Sequence, residues 1–316
     1  MAETILNLID SGADDAVALA APDRDPMTYA GLRTLAGKTV SDMNALGIGR
    51  NDRVAIVLPN GPEMAAAFIA VGAGATTAPL NPGYRGEEFR FYLEDLGAKA
   101  LFVEAESQSP AIEVARDLGV SVYELSVPDG ASAGSFEISA GEPASDPGSI
   151  QTGPAGPDDV ALVLHTSGTT SRPKIVPLSQ TNICASARHI GETLSLDGAD
   201  RCVNIMPLFH IHGLIAAVLS SLAAGASTYC TPGFDALRVF RWFEDATPSW
   251  YTAVPTMHQA ILSRATRNED IVKAMDLRFI RSSSSSLPPQ VMAALEETFD
   301  CPVIESYGMT EAAHQM

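Results

Sequence analysis

Basic residues are scarce in this chain of 316 residues. Only 20 Lys and Arg stand against 38 Asp and Glu, a formal net charge of −18. A polyanion such as DNA would be repelled on average, which excludes a general nucleic-acid binder but leaves room for a local basic site that holds a nucleotide. Cysteine is rare as well. Cys184, Cys202, Cys230 and Cys301 lie far apart, so no CxxC pair exists for a metal, and so few thiols do not make a disulfide framework. Reduced, buried thiols in a cytoplasmic protein are the expectation. The opening residues MAETILNLIDSGADDAV carry acids and no basic stretch, unlike a secretory signal. The longest apolar run, 214–226, is too short to span a bilayer. Hydrophobic residues are plentiful at 46% against 18% charged, so a core can form and global disorder is excluded. The length suggests two domains at roughly 150 residues each.

Apolar runs of β type alternate with helical patterns. RVAIVLP (53–59) reads as a buried strand, and PEMAAAFIAVGAGA after it as a helix with Pro62 in its first turn. A strand at 100–105, a helix at 111–119 and a strand at 120–125 follow. This order predicts an α/β fold with largely parallel sheets flanked by helices. From Ser126 to Asp159 the pattern stops in a stretch rich in Gly, Ser, Pro and Asp. An irregular surface connection is expected there, with an ordered polar excursion as the alternative. It divides the chain into two similar subdomains, 1–158 and 159–316. The second should hold strands at 159–166, 174–179, 202–209, 227–230, 250–255, 277–282 and 302–308. Helices fit at 181–194, 214–224, 236–245, 256–265 and 288–299. The serine tract Ser282–Ser286 follows a strand and precedes a helix, where α/β folds put ligands.

The most informative segment is HTSGTTSRPK, residues 165–174. Small hydroxylated residues, a glycine and two basic side chains follow a strand, a combination that can surround phosphate oxygens. It lacks the Gly-Lys-Ser/Thr of a P-loop, which argues against a P-loop kinase or ATPase. A dinucleotide oxidoreductase fits poorly, because after Gly72 and Gly74 the third glycine position is Thr77.

Three ordered motifs resemble those of the acyl-adenylate-forming enzymes, the superfamily of acyl-CoA synthetases, luciferases and peptide-synthetase adenylation domains. TSGTTSRPK (166–174) resembles their phosphate loop, MPLFHIHG (206–213) their histidine motif, and ESYGMTE (305–311) their adenine and magnesium motif. Ser171 stands where the loop usually has Gly. That departure, with WYTAVPTMH (250–258), RFIRS (278–282) and TEAAH (310–314), is similar to the oxalate–CoA ligase branch.

The resemblance implies that Thr166, Ser167, Gly168, Thr169, Thr170 and Lys174 close over the β- and γ-phosphates of ATP. It implies that Tyr307 stacks on adenine, that Thr310 bonds the α-phosphate, and that Glu311 holds Mg²⁺ with Thr170. Ser283, Ser284 and Ser285 would border the adenine and acyl pockets. Glu305, Ser306 and Gly308 would count among the nucleotide-binding residues. His210 would sit beside the reacting centres, with Lys174, Thr310 and Glu311 as its catalytic partners. CoA would supply the thiol. Other readings of the same residues stay open. Tyr307 and Met309 could be core residues, Glu311 an acid favoured at a helix N-terminus, and His210 with His212 half of a metal site.

Hydroxyls and imidazoles suit a small, doubly charged acid better than an alkyl tail, because a buried carboxylate requires partners. His212 or His210, Ser283, Ser284, Ser285 and His314 are therefore expected to hold the distal carboxylate of oxalate. The alternatives are a CoA ligase for malonate, a fatty acid or an aromatic acid, and a non-catalytic nucleotide-binding fragment. Family members continue well past Glu311, into a ribose-binding acid, a hinge and a small C-terminal domain with a catalytic lysine. None is found before Met316, so the chain is expected to be the N-terminal part of such an enzyme.

Overall fold

A computed structural model describes residues 3–166 and 173–316. Two seven-stranded sheets organise it. The first runs in the spatial order 137–138, 121–126, 100–104, 53–57, 76–79, 160–166, 174–179. Its inner strands are parallel, and its two edge strands, Glu137–Ile138 and Lys174–Ser179, are antiparallel to their neighbours. The second runs 303–305, 279–282, 250–253, 201–204, 227–230, 17–20, 27–28, parallel except for the last pair.

Alternate side chains of each strand explain the layering. Val54, Ile56 and Phe102 face a central core, while Ala55, Val57, Leu101 and Val103 face the outer helices Gly86–Leu96 and Pro110–Asp117. From the other sheet, Cys202, Cys230, Trp250 and Phe279 join the same central core. Val203, Tyr229, Tyr251 and Ile280 face outward onto Val239–Ala246, Pro255–Ala265 and Pro289–Phe299. The result is five layers, helix–sheet–helix–sheet–helix. Helices of the middle layer lie between two sheets and are apolar nearly all round. In Pro62–Gly72 every residue but Glu63 is buried.

The expected α/β class is therefore present. The division expected at residue 158 is not where the sheets divide. Strands Val160–Thr166 and Lys174–Ser179 complete the first sheet, and Val17–Ala20 and Met27–Thr28 complete the second. Hydrogen bonding along open sheet edges outweighs sequence order here. The polar stretch 126–159 is an ordered excursion rather than a loose connection. It buries Ala133 and Phe136, its Ala144 and Ala155 N–H groups donate to the Leu46 and Ala73 carbonyls, and its Gln151 carbonyl accepts from the Arg50 N–H. The strand expected at 202–209 ends at Asn204, whose side-chain amide bonds both N–H and C=O of Met206 and turns the chain. The helix expected at 214–224 starts at His212 and is wound as a π-helix to Leu219 before Ser220–Ala223 continues as α. Such windings are frequent at functional sites. The strand expected at 302–308 stops at Glu305, and a short hairpin of Gly308–Met309 with His314–Gln315 follows.

Candidate active site

The parallel strands of the second sheet end together. At these carboxyl ends lie Asn204, Thr252, Ser282 and Glu305, each followed by a loop that carries motif residues. Thr166 and Lys174 stand opposite one another in an antiparallel pair of the first sheet. Ser167, Gly168, Thr169 and Thr170 lie outside the described residues. His165, one residue before the loop, bonds Asp95 through Nε2 at 3.0 Å and meets the Tyr92 ring edge-on at 4.7 Å, which fixes the strand end.

Asn60 ties the two sheets beside the histidine motif. Its Oδ1 accepts from the Leu208 N–H at 2.8 Å, and its Nδ2 donates to the Thr231 carbonyl at 3.0 Å. Beyond Leu208 the two histidines part. His210 is exposed, its ring beside Phe209, and partial desolvation lowers its pKa. His212 is buried, and desolvation, then His314 and Arg281, hold its pKa well below the usual value.

Around His212 the structure gathers a polar cluster. Its Nδ1 lies 3.0 Å from Ser284 Oγ and its Nε2 2.6 Å from Thr252 Oγ1. Its ring stacks on His314 at 4.9 Å and 22°. Arg281 reaches His314 Nε2 and Gln315 Oε1 with Nη2, both at 3.1 Å, and approaches His212 Nε2 and Thr252 Oγ1 with Nη1 at 3.4 and 3.5 Å. A guanidinium only donates, so His314 Nε2 accepts and its proton sits on Nδ1. Thr252 O–H then donates to His212 Nε2, and His212 donates from Nδ1 to Ser284. Both rings are neutral: desolvation, with Arg281 adding to it, lowers His314 to about 3. With both nitrogens engaged, His212 is not half of a metal site. No group of three or more His, Cys, Asp or Glu gathers for a metal among the described residues.

The backbone here is strained. Ser284, Ala313 and His314 have φ of +73°, +52° and +101°, values that side chains other than glycine rarely adopt. Of the five serines, Ser283 donates to the Ser306 carbonyl at 3.0 Å, while Ser284 and Ser285 are exposed. Glu305 braces the tract by accepting from the Leu287 N–H at 2.7 Å. Tyr307 is 74% exposed, which rules out the core reading and leaves its face open for stacking. Gly308 lets the hairpin close, since a Cβ there would lie 1.6 Å from the His314 carbonyl. Thr310 starts a short 3-10 turn, and Glu311 within it is exposed and without a hydrogen-bonded partner among the described residues.

Of the residues expected to hold the acid, the structure joins His212, Ser284 and His314. It leaves His210, Ser283 and Ser285 outside their hydrogen bonds. In the sequence reading Arg281 and Thr252 stood only inside the segments RFIRS and WYTAVPTMH, with no role of their own, and Gln315 did not enter it. A cavity of about 1060 Å³ lies elsewhere, between Leu58, Asn60, Phe136, Tyr229 and Trp242, and touches none of the motif residues. No helix among the described residues is long and apolar enough to cross a membrane.

A family model described as AMP-binding enzyme matches residues 10–316. Over 241 residues the chain is 44% identical to an oxalate–CoA ligase of Arabidopsis thaliana, covering 76% of this chain and 46% of that protein. Over 258 residues it is 37% identical to an oxalate–CoA ligase of Saccharomyces cerevisiae, covering 76% and 47%. The chain thus spans about half the length of these curated relatives. A crystal structure of ATP-bound MatB from Rhodopseudomonas palustris is similar with a TM-score of 0.80 at 26% identity, covering 98% of this chain and 60% of that one.

Proposed function

This chain belongs to the AMP-binding enzyme family, and from that membership we propose that it serves an AMP-forming acid–CoA ligase whose acid is oxalate. The cluster around His212 carries the proposal. Imidazoles, hydroxyls and a guanidinium in a buried place suit a short acid with a second charge. An alkyl or aromatic acid would leave those groups desolvated without partners. The similarity to oxalate–CoA ligases of Arabidopsis thaliana and Saccharomyces cerevisiae supports the same substrate.

The reaction has two steps. A carboxylate oxygen attacks the α-phosphorus of ATP, the bond to the β-phosphate oxygen breaks, and pyrophosphate leaves with the electron pair. The CoA thiolate then attacks the acyl carbon, and AMP leaves as the thioester forms. The chain's own part is to position and to stabilise charge. Lys174, Thr166 and the residues 167–170 would take the leaving phosphates. Tyr307 would stack on adenine, and Thr310 would hold the α-phosphate. The exposed Glu311 carboxylate suits Mg²⁺, a hard cation that takes oxygen ligands and would neutralise phosphate charge. His210, exposed and kept neutral by its surroundings, would accept a hydrogen bond or donate one at the reacting carboxylate. ATP and CoA are both found in the cytoplasm, where the four buried thiols stay reduced.

ATP–pyrophosphate exchange tests the proposal. The 316-residue chain is assayed with oxalate, malonate, acetate, octanoate and 4-coumarate. Exchange with oxalate well above the others is expected. Exchange with octanoate or 4-coumarate in preference to oxalate would remove the substrate assignment.

A further inference from the structure

Arg281 is fully buried, yet among the described residues no carboxylate neutralises it. Its Nε finds no acceptor, its Nη1 has only the two long contacts, and its remaining partners are neutral: His314 and the Gln315 side-chain oxygen. Other arginines of this chain are treated differently. Arg278 is paired with the buried Asp200, Arg50 with Asp159, and Arg24 with Glu63. An uncompensated buried cation is costly and is retained where an anion arrives to pair with it.

We propose that Arg281 is the specificity-determining residue of this site, the counter-cation for a second anionic group on the substrate, so that dianionic short acids are selected over monoanionic ones. The inference rests on the acid–CoA ligase reading for the fate of the other carboxylate. Ser284 and Gln315 are the members of the cluster that solvent reaches. Ser284 is exposed, and its hydroxyl, already accepting from His212 Nδ1, keeps its own proton to donate. Gln315 is partly exposed, and its oxygen occupies a place on Nη2 that a carboxylate oxygen fills after one side-chain rotation. The incoming group then meets the fork made by the unused Nε–H and Nη2, a set made of donors alone. A carboxylate, accepting at both oxygens, satisfies them and an amide satisfies only some.

Calorimetric binding of oxalate and oxamate to the full chain tests this. Oxamate has the shape of oxalate with one end neutral. The unaltered chain should bind oxalate at least tenfold tighter, in line with roughly 10- to 100-fold for hydrogen bonds to charged groups. In Arg281→Met that preference should collapse, and Arg281→Lys should restore part of it, since the charge returns without the fork. Equal binding of the two ligands by the unaltered chain would overturn the proposal, as would an undiminished preference in Arg281→Met. If Arg281→Met does not fold, Arg281→Gln decides, because an undiminished oxalate-to-oxamate ratio there also overturns it. The two readings fail separately. Arg281-dependent oxalate binding beside pyrophosphate exchange that prefers octanoate or 4-coumarate removes the oxalate ligase reading and keeps the anion site. Exchange by the variants with an unchanged ratio removes the anion site and keeps the ligase.

Discussion

Replacing Asn60 with Ala should weaken the whole molecule and disturb the histidine motif from the neighbouring sheet. Among the described residues Asn60 is the sole hydrogen-bond partner of the Leu208 N–H and of the Thr231 carbonyl. Truncation leaves both without it. Each buried group left unsatisfied costs about 1–3 kcal/mol, which sets a range of roughly 2–6 kcal/mol for the pair. Asn60 also lines the large cavity, from which water can reach the freed groups. That places the expected loss near the lower end, about 2 kcal/mol. Urea unfolding of both forms measures it as a shift in midpoint at constant slope. Asn60→Asp keeps an acceptor for Leu208 but turns an oxygen toward the Thr231 carbonyl, so it should not restore full stability. A loss below about 0.5 kcal/mol in Asn60→Ala, the range of ordinary surface substitutions, would refute the assignment of Asn60 as the tie between the sheets.

Gly308→Ala should unseat the hairpin that carries His314 and Gln315, because the new Cβ would overlap the His314 carbonyl and a backbone atom cannot yield cheaply. Faster amide hydrogen exchange over 308–316 would show it, and native exchange rates there would count against it. Stability should also fall in mild acid. Burial lowers His314 to about 3 and His258 to about 4, against an ordinary 6.5. The unfolded chain therefore takes up protons that the folded one refuses. The contribution of these rings is complete above pH 6.5 and is lost by about 1.4 kcal/mol per pH unit for each ring as the pH falls from 6.5, toward 4 for His258 and toward 3 for His314. His258→Gln should flatten that slope by one ring's share in urea titrations between pH 7.5 and 5.5, and an unchanged slope would show that His258 is not held neutral. Glu311→Gln should cut pyrophosphate exchange by about 100-fold or more and raise the Mg²⁺ needed for half-maximal rate, whereas an unchanged Mg²⁺ dependence would move the metal elsewhere.

Much of the architecture was legible because strands buried on both faces read as unbroken apolar runs. Val54–Val57 and Leu101–Val103 are of that kind, and Pro62 marked the helix between them. Which sheet each strand joins was not legible. Val17–Ala20 pairs with Ser227–Cys230 across some two hundred residues, and nothing local to either run announces the other. Nor was the π winding after His212, since its residues are apolar and buried however the turn is closed. The motif segments marked the right loops, yet within them the sequence could not separate His210 from His212 or Ser283 from Ser284. Those distinctions depend on which way each side chain leaves its loop. Arg281 was hidden for a related reason. A lone arginine at a strand end is ordinarily a solvated edge, and only the tertiary packing makes it a buried cation.

The exchange of strands between the two sheets bears on how the chain is made. Residues 1–158 leave the ribosome first, but the sheet they begin still lacks Val160–Thr166 and Lys174–Ser179, and their own Val17–Ala20 waits for a partner near residue 227. Neither sheet can close until most of the chain has been synthesised, and such distant pairings are slow to form. The same dependence should make the molecule divisible. Cut within the exposed turns near residues 140–149, the two fragments each carry strands that the other's sheet requires. They are expected to stay unfolded or aggregate alone and to assemble when co-expressed, a property suited to a reporter of protein association.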